Sequence, residues 1–144
     1  MKSYEFTQLG RVIVIHLRKG EKLLESITSE LERLGVKHAI LTSCIGSLRK
    51  MTIHIIKSTA DLPENEFITV EGAIEFGVAQ GVVINGAPHI HVVTSVPGQK
   101  TYVGHLENGC EVQYLAEISL LEVKDMDLTR IKDEFGIYEI VPKK

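Results

Sequence analysis

Apolar positions in this chain first alternate and then recur at helical spacing. Arg11 to Arg18 (RVIVIHLR) is rich in β-branched residues and predicts a strand, which Gly20 ends. Leu23, Leu24, Ile27, Leu31 and Leu34 follow at three- and four-residue intervals, forming one face of a helix. Glu21, Glu25, Glu30 and Arg33 lie off that stripe, on the solvated side. Gly35 stands where a left-handed residue is expected to close the helix. Val36 to Cys44 predicts a second strand, so the opening segment reads as a β-α-β unit with two parallel strands.

After Gly46 the helical signal stops. Leu48 to Lys57, Phe67 to Glu71, Ala73 to Ile84, Pro88 to Val96, Thr101 to Leu106 and Cys110 to Val123 predict strands, separated by Gly, Pro or Asn. Gly77 and Gly81 interrupt one of them, which implies a bulge or a close backbone approach. A short helix is expected over Leu128 to Glu134, capped by Asp127 and stopped by Gly136, before a last strand from Ile137 to Val141. The expected class is α+β: a curved, mostly antiparallel sheet, one long helix from the N-terminal βαβ unit, and a short C-terminal helix.

Composition narrows the function classes. The 144 residues are 44% apolar, enough for one real core, and the polar stretch Ser58 to Glu66 is a loop rather than a linker, so residues 1–144 are expected to form a single domain. The formal net charge of −3 makes the overall field slightly repulsive to phosphate, so nucleic-acid binding would need a local patch. Arg49-Lys50 is the best such pair. Met1 to Gly10 has no apolar leader region, and the longest stretch without Asp, Glu, Lys or Arg, Phe76 to Gln99, holds two histidines and two prolines and is not a membrane span. The expected compartment is the cytoplasm. Cys44 and Cys110 sit in apolar strand-like runs and read as small core residues. There is no GxxxxGK[ST], and no GxGxxG between a strand and a helix.

Three of the six histidines carry the chemistry. His89-Ile90-His91 puts two imidazoles on one face of a strand, and the next strand carries His105. A short hairpin connection centred on Gly98 sets His91 opposite His105, Val92 opposite Gly104, Thr94 opposite Tyr102, and Ile90 opposite Leu106. The second face of that hairpin is then mostly apolar, and a slip of one residue would move His105 to the wrong side. Opposed residues have Cβ atoms roughly 4.5–5.5 Å apart, so three imidazoles can converge on one ion with Zn–N bonds of about 2.0–2.1 Å. Neutral imidazoles suit zinc, and also nickel, copper or iron. Three protein ligands leave a coordination position for water, the pattern of catalytic sites. In this register Glu107 faces His89 as a fourth ligand, an outer partner or a solvated turn residue. His16 and His54 lie in strands without an evident partner.

Several motifs together resemble the PPC ("plant and prokaryote conserved") domain. They are Gly10-Arg11, the turn Ser43-Cys44-Ile45-Gly46-Ser47, His89-Ile90-His91, and Gly104-His105-Leu106 followed by Gly109-Cys110, in a likeness that runs from about Tyr4 to Val141. The resemblance implies an α+β fold, a homotrimer, and a metal site at His89, His91 and His105. It also implies an association with DNA; in plant members AT-hooks bind the minor groove while the domain serves assembly. This chain has no RGRP core. Two functions follow as expectations. One is a trimeric binding or assembly module with a divalent metal, zinc by donor type, and DNA as a partner. The other is a metal-dependent enzyme acting on a small molecule through metal-bound water.

Overall fold

A computed structural model describes residues 1–98 and 100–144. The first strand, β1 (Leu9–Arg18), alternates from Val12 onward, with Ile13, Ile15 and Leu17 turned inward. Helix α1 (Leu23–Arg33) follows, and its stripe of Leu23, Ile27 and Leu31 is wholly buried in the core. Its C-terminus closes on Gly35 at φ 69°. The Gly35 N–H donates to the Glu32 carbonyl, and the Val36 N–H reaches back to Leu31 at 2.9 Å. That is the double bond of a Schellman motif, which a left-handed glycine permits. The helix has only 11 residues, so the long helix expected from the sequence is a short one. Its length is set by where the apolar stripe ends and the glycine cap begins.

The remaining strands are β2 (Ala39–Ile56), β3 (Asn65–Ile84), β4 (Ala87–Ser95), β5 (Thr101–Leu106) and β6 (Glu111–Val123). They form one antiparallel sheet in the order β1-β6-β2-β3-β4-β5. Strands β1 and β2 run the same way, as a β-α-β unit requires, but β6 lies between them and pairs with both. The sheet is as curved as its glycine content suggests. Strand β2 pairs with β6 as far as Lys50, then with β5 at Ile53 and His54, so β2, β3, β4 and β5 close on themselves. The strand breaks expected at Gly46 and near Gly72 are absent: Gly46 stays paired with Phe76 at φ 152°, and Gly72, at φ 139°, lies in a register shift between Leu48 and Lys50 that β3 runs through. Gly77 does mark a register shift between β3 and β4.

The C-terminal helix expected over Leu128 to Glu134 is instead a strand. Strand β7 (Leu128–Lys132) pairs with β8 (Tyr138–Pro142) as a separate two-stranded ribbon. The reversal is made by Asp133, whose Oδ1 accepts from the Phe135 and Ile137 N–H groups at 2.9 and 2.8 Å, with Gly136 at φ 80°. Spacing between Leu128 and Ile131 suits one helical turn, but an isolated helix of that length lacks the stability to form, and the Asx-type turn captures the chain first. Among the described residues, no helix is long and apolar enough to cross a membrane.

Candidate metal centre

The hairpin register read from the sequence is the observed one from Ser95–Thr101 to His91–His105; beyond it the expected Ile90–Leu106 pair is not formed, and Leu106 pairs with Ile53 of β2. His91 stands opposite His105, Val92 opposite Gly104, and Thr94 opposite Tyr102. Ile90, Val92, Thr94 and Leu106 face the core and are buried, so the imidazoles of His89, His91 and His105 all project from the outer face. Their ligand nitrogens lie within 4.8 Å of one another. The Nε2 atoms of His89 and His91 are 3.2 Å apart. Tetrahedral metal–nitrogen bonds of about 2.0–2.1 Å separate their nitrogens by about 3.3–3.4 Å, close to the separation of this His89–His91 pair.

The electrostatics favour the neutral, ligating form of each ring. Burial pushes His105 down to about 4, with His54 and His89 adding to the effect. Burial also lowers His91, and it lowers His89 with a further contribution from the positive charge of Arg130. Both of these rings remain open toward solvent on one side, so their shift comes from crowded walls rather than full enclosure.

The alternation pattern did not reveal the partner of His54. The short β2–β5 pairing sets His54 directly opposite His105, with ring centroids 4.6 Å apart. The Glu107 carboxylate accepts a 2.5 Å hydrogen bond from His54 Nδ1. Glu107 therefore does not continue the hairpin opposite His89. Its N–H instead donates to the Thr52 carbonyl, turning the chain toward β2. Four of the six histidines thus meet on one face. His16 lies apart, 3.8 Å from Glu117, and His38 accepts from the Asn85 N–H.

The four histidines line a cleft of about 790 Å³, with Arg130, Lys132 and Tyr138 of the β7–β8 ribbon on another wall. The other sequence candidates lie elsewhere. Arg49 pairs with Glu111, which Lys22 also holds, and Lys50 pairs with Glu71, so both members of the basic pair singled out for phosphate contacts already face carboxylates. Burial pushes the Cys44 thiol up to about 12 and the Cys110 thiol up to about 11, which leaves both as protonated core groups.

The sequence profile of the Plants and Prokaryotes Conserved (PCC) domain matches residues 4–124. A metal-containing protein from Archaeoglobus fulgidus is 27% identical, with a TM-score of 0.84 over 98% of this chain and 99% of that one. A plant- and prokaryote-conserved protein from Pyrococcus horikoshii is 28% identical, with a TM-score of 0.80 over 96% and 97%. A candidate DNA-binding protein from Bacteroides thetaiotaomicron shares the fold at 14% identity, with a TM-score of 0.76 over 94% and 96%. The bifunctional protein GlmU of Synechococcus sp. (strain JA-3-3Ab) is 24% identical over 123 residues, which are 85% of this chain. The match spans only 19% of that curated relative's length.

Proposed function

Because this chain belongs to the Plants and Prokaryotes Conserved domain family, we propose that it is a homotrimeric binding module in which His89, His91 and His105 hold one divalent metal ion, zinc by the chemistry of the donors. The observation that carries this reading is the convergence of three lowered-pKa imidazoles within 4.8 Å at the floor of a cleft. Neutral nitrogen donors in that number suit zinc. The metal-containing relative from Archaeoglobus fulgidus supports the same reading. Bound zinc would supply Lewis acidity to whatever enters the cleft.

Assembly is supported by the outer face of the sheet. Val12, Leu121, Ile40 and Val82 are neighbours in adjacent strands, and the row ends at His89. Val12 is 73% exposed, which leaves an apolar strip on one chain for another copy to cover. Two buried free thiols suit a reducing, cytoplasmic setting. Association with DNA, the role named for the Bacteroides thetaiotaomicron relative, would be weak and salt-dependent here, given a net charge of −3 and an Arg49-Lys50 pair already facing carboxylates.

A second reading, an enzyme acting on a small molecule, is favoured by the hydrogen bond between His54 and Glu107. The carboxylate fixes the orientation of the His54 ring, whose face lies against His105 of the three-histidine group. The test of the metal reading is elemental analysis of untagged protein. About one zinc per chain is expected, lost in His91→Ala. Wild-type protein that stays metal-free after incubation with zinc, nickel and cobalt salts refutes it.

A further inference from the structure

Arg130 differs from the arginines that form ion pairs in this chain. Arg11, Arg33 and Arg49 each pair with a glutamate. Arg130 is part-buried on β7, and among the described residues no carboxylate lies within ion-pair distance. Its guanidinium is held by two backbone carbonyls instead. Nη1 donates to Ala87 at 2.9 Å and Nη2 to Val82 at 3.4 Å. Taking a cation partly out of water without a counter-ion is costly, and an incoming anion would offset that cost.

The surroundings have the same bias. Lys132 lies two residues along the same strand, at the wall of the same cleft, with its ammonium 5.2 Å from the Tyr138 ring. No aspartate or glutamate is among the described residues that line the cleft. Ile56, Ile84 and Ile137 give it an apolar side, and its volume of about 790 Å³ falls in the range of about 300–1,000 Å³ typical of small-molecule sites. A guanidinium fixed by its backbone bonds, with N–H groups left over, can accept a carboxylate or phosphate through paired hydrogen bonds.

We infer that this cleft binds a small organic oxyanion, a carboxylate or phosphate ester, whose charged group pairs with Arg130 and Lys132 and whose body lies against the isoleucines. The inference rests on the reading of this cleft as the protein's ligand and metal site, but the anion contacts are separate from the histidines.

The experiment is calorimetric titration of the untagged protein, metal-free and zinc-loaded, with phenyl phosphate and with benzoate. Zinc content is measured on the same samples. Saturable binding of one probe molecule per chain is expected. Arg130→Gln should weaken it roughly 10- to 100-fold, the loss expected for a charge-assisted hydrogen-bond pair, with Arg130→Lys restoring part. The Lys132 side chain makes no hydrogen bond among the described residues, so Lys132→Gln should weaken binding about two- to five-fold without disturbing the ribbon. This second variant decides the matter if loss of the Arg130 bonds unfolds β7. Unchanged zinc content with weakened probe binding supports the inference. Probe binding that depends on Arg130 in a protein that takes up no zinc keeps the anion site and removes the metal reading. Zinc uptake with neither probe bound at about 10 mM, far weaker than a specific small-ligand site, overturns the inference. So does probe binding that neither variant weakens.

Discussion

Replacing Gly81 by alanine tests whether the backbone of β3 sets the position of His89. A Cβ at residue 81 would lie 2.0 Å from the His89 carbonyl oxygen and 2.9 Å from both the His89 carbonyl carbon and Ile90 Cα. All three are backbone atoms, so no change of rotamer relieves the clash. Ordinary contact begins at 3.4 Å, so β4 must move away by more than 1 Å at the residue that carries the first imidazole. Overpacking an interior costs about 1–3 kcal/mol, and a clash with backbone belongs near the top of that range. At roughly 3–4 °C per kcal/mol for a domain of this size, the melting temperature should fall by about 6–12 °C. Metal ligation tolerates distance errors of only about 0.2 Å, so zinc affinity should fall at least tenfold, to about the level of a two-ligand site. Gly77 is the control on the same strand. It has nothing within 4 Å of an added Cβ, and its φ is not in the left-handed region. Gly77→Ala should be neutral or stabilising by about 0.4–1 kcal/mol, because alanine restricts the unfolded chain. The assays are thermal unfolding by circular dichroism and zinc competition with a chromophoric chelator. Equal melting temperatures and equal zinc affinities for the two variants would refute the reasoning.

Further outcomes follow from the same geometry. Arg11 donates from Nε and Nη2 to Glu122 at 2.8 Å, and those bonds hold the Glu122 carboxyl at about 2, against 4.5 for a free glutamate. A depressed carboxylate stabilises the fold above its unfolded pKa, and that contribution is lost as the pH falls from about 4.5 toward 2. Arg11→Met should therefore lower stability near neutral pH and change it little near pH 2. Urea titrations at several pH values check this, and a cost that does not change with pH contradicts it. Light scattering should give a mass near three times 16.0 kDa, and Val12→Glu should lower it without unfolding the chain. A monomeric wild type at micromolar concentration contradicts the trimer. Binding to random duplex DNA should appear only at low salt, with log affinity falling by about 0.9 per phosphate contact for each unit of log salt. Arg49→Ala with Lys50→Ala should change it little, because both charges are already paired. Nanomolar binding that survives about 200 mM salt would overturn the weak-binding view.

What the sequence reveals depends on the range of the interaction. The β4–β5 register is legible because a short connection around Gly98 and strict alternation on both sides fix it locally. Helix α1 is legible because its stripe and its glycine cap are both local signals. The place of His54 is not. It depends on the β2–β5 pairing, only two residue pairs long and joining positions more than 50 residues apart, and no turn announces it. The two long strands are hidden for another reason. Gly46 and Gly72 look like chain breaks, yet their positive φ values bend β2 and β3 without ending the ladder. The β7–β8 ribbon is not legible because Leu128 and Ile131 fit a helical turn as well as a strand, and the deciding contacts are made by the side chain of Asp133.

The site and the core are set by one constraint. Along β4, Ile90, Val92 and Thr94 enter the core while His89, His91 and Val93 face out, and β5 repeats the pattern with Leu106 in and His105 out. The period of two means that the imidazoles cannot change faces unless the apolar residues change with them. Each fully buried aliphatic side chain contributes about 1.5–3 kcal/mol, so a one-residue slip of β4 would forfeit Ile90 and Val92 together and strand two imidazoles in the core. The helix occupies the inner side of the sheet through Leu23, Ile27 and Leu31, which leaves the outer face free. On that free face the exposed apolar row from Val12 to Val82 runs directly into His89. A copy of the chain seated on that row would reach Val82 and His89, where Arg130 of β7 also bonds the Val82 carbonyl, so assembly and ligand access share a boundary there. A substitution such as Val12→Glu, at the far end of the row, separates the two: it should break assembly while leaving the zinc stoichiometry of each chain unchanged.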